Sequence, residues 1–267
     1  NYGAKNEDQL RKSVAATAII GCILSLFVIF IGAVGLYPLL QFLGTPSAIV
    51  SQSYLYIATI VNGVAVTFAY NLCAGLLRAV GDSLAALYFL IIAAILNILL
   101  DLYFITQLHL GVQSAGIATI IAQGISALLC LLYIRKKVPF LLPHRKDFVW
   151  DKELYQDLLS QGLAMGLMTS IVSIGTVILQ SAINQLGTTI ISAQVAARRI
   201  MSFAVLPITA IASSITTFIS QNFGAEQFHR IKKGVTIANF LSWVWSVLVA
   251  ALLFFTSPSI TSFISGS

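Results

Sequence analysis

Charge is what this sequence most lacks. Only 9% of its residues are Asp, Glu, Lys or Arg, where a soluble domain carries about 25%, so an ordinary water-exposed surface is excluded. Histidine is limited to His109, His144 and His229, all outside the apolar runs. Neither HExxH nor GxSxG occurs, so an enzyme working inside the membrane would have no metal or nucleophile motif to work with. Cysteine is equally scarce. Cys22, Cys73 and Cys130 are odd in number, lack metal-type spacing and sit in apolar runs, which fits small packing residues. Residues 1–5 are polar and loop-like, so these residues are not expected to be part of an apolar leader.

What is present is apolar length. Hydrophobic residues make up 58% of the 267, and the mean hydropathy is +0.93. Runs long enough to cross a bilayer, about 20 residues each, recur seven times: 13–42, 48–77, 84–106, 114–134, 154–186, 189–220 and 234–255. Several exceed the minimum and are expected to tilt or project. The fold class expected is all-α, a polytopic membrane protein.

The net charge of +6 follows the same topology. Thirteen of the fifteen basic residues lie in or beside four segments, led by Lys5, Arg11 and Lys12; Arg78; Arg135 to Lys152; and Arg230, Lys232 and Lys233. The short intervening loops, 43–46, 107–112 and 187–188, hold none. That alternation is the positive-inside pattern. It places the basic loops in the cytoplasm and removes any need for a nucleic-acid partner.

A self-similarity adds organisation. Residues 1–14, NYGAKNEDQLRKSV, and 222–235, NFGAEQFHRIKKGV, match at an offset of 221. Each copy sits in a basic loop and precedes an apolar run in the same orientation. Parallel repeats about an axis along the membrane normal are implied, a common transporter plan. Two such units need roughly 440 residues, so the expectation is spans three to nine of twelve. The organisation expected is an N-terminal lobe, 1–136; a cytoplasmic linker, 137–152, partly on the headgroups; and a C-terminal lobe, 153–267.

Within the runs a few polar residues stand out. Asn97 and Asp101 are four apart on one helix face, with Asp101 about 8 Å along the axis from the outer end. An intramembrane carboxylate is costly and usually faces an interior or cavity; the alternative is that Asp101 reaches the interface near Gln107 and His109, or bonds a neighbouring helix. Amide, hydroxyl and carboxylate oxygens suit Na⁺, while a carboxylate alone takes a proton. Arg198 and Arg199 are the only basic residues within a run. Either they reach outward and cap carbonyls, or one faces a cavity in the second lobe. Gln161, Gln180, Asn184 and Gln194 fit interhelical bonding or cavity lining. Pro207 is expected to kink its helix, and Asp82 with Ser83 to cap the helix after the Gly81 turn.

Several stretches together resemble a known family. LRAVGDS at 77–83, NILLDLYFI at 97–105, AGIAT at 115–119, the paired Gly-Ala loops and QGLA at 161–164 occur in an order similar to the multidrug and toxic compound extrusion (MATE) transporters. The resemblance covers essentially the whole chain. It implies two helical bundles around a central cavity, and export of cationic or amphipathic organic compounds by antiport with Na⁺ or H⁺. It implies a cation site of Asn97, Asp101 and Thr119, with Asn71 assisting and Asn62 and Thr67 as other polar candidates on that run. It also implies a further acidic ligand, in a span expected outside this sequence. Arg198, Arg199, Gln161, Gln180 and Gln194 become candidate cavity residues. No cofactor beyond the coupling ion is expected, and the setting is a monomer in the plasma membrane bilayer. The alternative carried alongside is a lipid-linked saccharide flippase of the same architecture.

Overall fold

The computed structural model describes residues 2–42, 47–108, 110–184 and 188–265, and these hold eight α-helices, with two short 3₁₀ helices (Pro139–Leu141 and Arg145–Asp147) between the fifth and the sixth. They are α1 (Glu7–Phe42), α2 (Ser47–Asn62), α3 (Val64–Ala79), α4 (Ser83–Thr106), α5 (Gln113–Lys137), α6 (Lys152–Asn184), α7 (Thr188–Gly224) and α8 (Phe228–Ser265). Six of the helices hold stretches long and apolar enough to cross a membrane. The second apolar run is the exception, being broken at Gly63 into α2 and α3, which bend by 45°; counted as one span, the pair brings the total to seven. Close packing coincides with the break. A Cβ at Gly63 would lie 2.3 Å from the Ile120 side chain, so the missing side chain is what lets α5 approach here.

The chain divides into two compact units. The first comprises Asn1–Tyr2 with Asn6–Tyr155, and the second Gly3–Lys5 with Gln156–Ser267. In the first, α5 is the hub, packed on α2, α3 and α4, while α1 lies along α2 and α3. Small residues permit the closeness, as lipid-embedded helices require: Ala15, Ala16, Ala118 and Ala122 are almost fully buried. A Cβ on Gly21 would fall 1.8 Å from the Phe68 ring. The core gathers Tyr70, Cys73, Leu77, Cys130 and Ile134 at the basic ends of α3 and α5. Asp82 caps α4, as expected: its Oδ1 accepts from Ala85 N at 3.1 Å and its Oδ2 from Tyr133 OH at 2.8 Å.

The segment expected as a linker is folded onto this first unit through most of its length. Leu141 is 1% exposed and belongs to the core. Phe140 stacks on Tyr2, with ring centres 6.1 Å apart. Buried Asp147 meets Arg11 Nε at 3.3 Å and accepts from His144 N at 2.7 Å. That backbone N–H, helped by the guanidinium, holds the Asp147 carboxyl below its ordinary pKa against the opposing effect of burial. Arg11 also pairs with Asp8 and Glu7.

In the second unit α7 packs on α8. Trp245 Nε1 donates to Ala204 O at 2.8 Å, and Gly234 lets the Phe218 ring approach. Helix α7 runs through Pro207 without interruption. The glycines of the two repeat copies, Gly3 and Gly224, both lie where a side chain would collide. A Cβ on Gly3 would sit 1.9 Å from Gln221 O, and one on Gly224 2.9 Å from Ala4 N. Much of the exposed surface is Leu, Ile, Val and Phe, for example Phe27, Phe30, Ile171 and Val177. In water so large an apolar area would aggregate; facing lipid it is what a multi-pass membrane protein requires.

Candidate functional site

Asn97 and Asp101 lie on α4, whose eight residues before Asn97 are wholly apolar. One turn separates them, so they share a face, and that face meets α5. Asn97 Nδ2 donates to Thr119 Oγ1 at 3.2 Å. Thr119 Oγ1 donates its own proton to Ala115 O at 2.8 Å. The chain of donors fixes the roles: the hydroxyl is held as an acceptor toward Asn97, and the Asn97 amide nitrogen is committed. The amide oxygen is thereby left as the free end of that side chain.

Beside this pair, Asp101 is half-buried and its Oδ1 is enclosed without a hydrogen-bond partner. An isolated carboxylate oxygen removed from water is among the costliest arrangements a membrane helix can hold. Two things relieve it, a bound cation or a proton. Oxygen donors from carboxylate, amide and hydroxyl are the set a hard cation prefers. Among the described residues no group of three or more His, Cys, Asp or Glu is placed to hold a metal.

The structure does not bring Asn71 to this cluster. Its Nδ2 donates to Thr67 O on its own helix at 2.8 Å, and the residue lines a groove of about 400 Å³ between α1 and α3 with Ser13, Thr17 and Phe68. The reason is depth. Gly63 touches Ile120, next to Thr119, and Asn71 is eight residues further along, roughly 12 Å at the helical rise. Of the two other polar candidates on that run, Asn62 is exposed. Thr67 does meet α5: its Oγ1 donates to Gln123 Oε1 at 2.6 Å.

Sequence reasoning missed Gln123. It also missed Gln113, whose Nε2 donates to Thr59 Oγ1 at 3.2 Å, and Ser126, which is completely buried. The signal was present, since Thr119, Gln123 and Ser126 recur at i, i+4 and i+7 and so form one stripe of α5.

In the second unit the candidate cavity residues are spread along two helices. With its amide oxygen turned to the guanidinium, Gln194 accepts from Arg198 Nε at 3.3 Å and Nη2 at 3.2 Å, one turn apart on α7. No acid pairs with either arginine in the described contacts. Arg199 and Gln161 are exposed, and Gln180 is half-buried near the end of α6. The side chain of Asn184, and His109, lie outside the described residues.

A family model described as MatE matches residues 1–103 and 164–267. Over 268 residues the chain is 26% identical to a Bacillus subtilis (strain 168) protein named "Probable multidrug resistance protein YoeA", covering 98% of this chain and 58% of that one. A second protein of that organism, "Probable multidrug resistance protein YpnP", is 30% identical over 195 residues, covering 72% of this chain and 43% of its own. Among solved structures, one described as the outward-facing conformation of a multidrug resistance MATE family transporter of the MOP superfamily superposes with a TM-score of 0.89 at 22% identity. That match covers 98% of this chain and 58% of the other. The chain thus spans under two thirds of the length of the relatives it matches.

Proposed function

Because this chain belongs to the MatE family, we propose that it works in secondary multidrug efflux, exporting cationic or amphipathic organic compounds by antiport with Na⁺ or H⁺. The relatives' names support multidrug efflux, and one observation supports the coupling: the enclosed, unpartnered Asp101 Oδ1 beside the Asn97–Thr119 hydrogen bond. In this reading the Asn97 oxygen, the Asp101 carboxylate and the Thr119 hydroxyl hold the coupling cation, or Asp101 takes the proton in its place. Occupancy removes the cost of the bare carboxylate. That difference between the filled and empty site is the free energy available to bias one conformation of the lobe over another. Arg198 with Gln194, Arg199, Gln161 and Gln180 are proposed as polar points of a substrate-facing surface in the second lobe.

The setting proposed is a monomer in the plasma membrane, with no cofactor beyond the coupling ion. The chemistry is transport, not catalysis. The saccharide-flippase alternative is not carried forward, since the relatives are named for drug resistance. The experiment is Asp101→Asn in the full-length protein, with dye efflux followed in cells under imposed Na⁺ and pH gradients. The substitution keeps the size and removes the charge. Efflux should fall at least tenfold at normal expression, and only one of the two gradients should drive the parent. Parent-like efflux in the variant would remove Asp101 from the coupling role.

A further inference from the structure

The connector between α5 and α6 has two faces. Its apolar residues up to Leu142 turn inward: Leu141 lies in the core, and Val138, Phe140 and Leu142 pack against it. Buried Asp147 ties the later part to Arg11. Residues 148–150, Phe-Val-Trp, do the opposite. All three are exposed, Trp150 by 78%. The indole is nonetheless held in place, its ring centre 4.4 Å from that of buried Tyr155 at the start of α6. A segment that packs four apolar residues inward and leaves its largest one outside has other apolar surroundings to meet.

Cations frame these three residues. Arg145 and Lys146 precede them and Lys152 follows, all exposed, and from Lys146 or Lys152 to Trp150 the chain spans at most about 14 Å. The acids of the stretch are committed internally. Asp147 holds Arg11 and the His144 N–H, and Asp151 caps α6, its Oδ1 accepting from Leu154 N at 3.2 Å. Among the described residues none of the three cations pairs with an acid. The exposed part of the stretch is therefore positive and aromatic at once.

Its place along the chain fixes its depth. The connector leaves α5 at Lys137 and enters α6 at Lys152, both on the basic side of the membrane, so it runs at the level of the headgroups. The positive-inside rule accounts for the cations; it does not account for a fixed, exposed indole among them. An apolar ring with a polar N–H suits the membrane interface, and the cytoplasmic leaflet is the one that carries anionic phospholipid.

We infer that residues 145–152 form a binding site for anionic phospholipid of the cytoplasmic leaflet. Phe148 and Trp150 enter the boundary between headgroups and acyl chains, and Arg145, Lys146 and Lys152 hold the lipid phosphates. Leu141 and Asp147 fix the backbone on the protein side, so the site is formed before lipid arrives. The inference does not depend on the cation role proposed for Asp101.

The test uses the full-length protein in phosphatidylcholine vesicles that contain, at equal content, either phosphatidylcholine or phosphatidylglycerol brominated on its acyl chain, a contact quencher of indole. The Trp150 signal is the difference between the parent and Trp150→Phe, which keeps a ring against Tyr155. Brominated phosphatidylglycerol should quench that signal at least threefold more strongly than brominated phosphatidylcholine, and aqueous acrylamide should reach it poorly. The triple variant Arg145→Gln, Lys146→Gln, Lys152→Gln removes no described ion pair, so it should fold like the parent, and its preference for the anionic lipid should vanish. Arg230→Gln, Lys232→Gln, Lys233→Gln removes the same charge from the other basic loop and should leave the preference intact. Equal quenching by the two lipids in the parent, or an equal loss of preference in both triple variants, overturns the site and leaves only the general charge pattern. Quenching by acrylamide and not by lipid would place Trp150 in water, and quenching by neither would mean that protein covers it; each of these results overturns the inference as well.

Discussion

Asp101 is the residue on which the functional argument turns, and Thr119 is the one that positions its neighbour. Thr119→Val keeps the shape and removes the acceptor of Asn97 Nδ2. The stability loss should be small, about 0.6 kcal/mol for an interhelical bond in lipid, measured as thermal melting in detergent. The concentration of Na⁺ or H⁺ giving half-maximal exchange should move more, by fivefold or greater, because the amide is then free to turn its oxygen away from Asp101. A matching small shift in both would mean that the bond is structural only. A second prediction concerns Asp147. Its pKa lies below the ordinary 3.8, so the ionised form contributes stability above that value, and the contribution is lost as pH falls through the lowered one. Hydrogen exchange of the 144–147 amides, corrected for intrinsic rate, should stay protected from about pH 7 to about pH 4 and lose protection only below. Loss between pH 5 and 6 would contradict this. The Asn97–Asp101 pair was legible in the sequence because two polar residues one turn apart are conspicuous in an apolar run. The surroundings of Asn71, Gln123 and Ser126 were not legible in the same way, because a polar residue's partners depend on depth. Depth in turn depends on the break at Gly63, which pattern alone does not show.

At the scale of the elements, glycine decides where helices touch. Gly21→Ala places a methyl 1.8 Å from the Phe68 ring, and either the ring or α1 must shift. The cost expected is about 1–3 kcal/mol, read as lower melting of the detergent-solubilised protein. Gly35, on the same helix with nothing within 4 Å of a Cβ, is the control. Gly35→Ala should be neutral or stabilising by up to about 1 kcal/mol through helix propensity. Equal effects at the two positions would refute the packing account. Helix existence was plain from the apolar runs, and the cap at Asp82 from the Gly-Asp-Ser turn. The division of one run into α2 and α3 was not, since a glycine within an apolar run signals a bend only when the contact with Ile120 is known.

At the scale of the whole molecule, the chain is a multi-pass all-helical membrane protein of two compact units. The polar stretch after α5 reads in sequence as a cytoplasmic linker partly on the headgroups, but its apolar residues bury and its acid finds Arg11. Leu141, Phe140 and Asp147 commit it to the first unit. Nothing in the composition of the segment distinguishes the two outcomes; the partners Tyr2 and Arg11 lie more than a hundred residues away. Arg11→Ala should therefore leave Asp147 buried without its guanidinium, a change on the order of 3 kcal/mol for a broken buried pair. Trypsin cleavage after Arg145 and Lys146 in detergent should rise severalfold; an unchanged rate would show that the apolar residues hold the segment alone.

The most direct measurement is ion-driven exchange by the full-length protein in liposomes, parent against Asp101→Asn, with a Na⁺ gradient or a pH gradient imposed separately. The parent should exchange an organic cation under one gradient and not the other, and the variant should exchange under neither while binding the organic cation within about threefold of the parent. Equal gradient-driven exchange by parent and variant would contradict the assignment of Asp101 as the coupling residue.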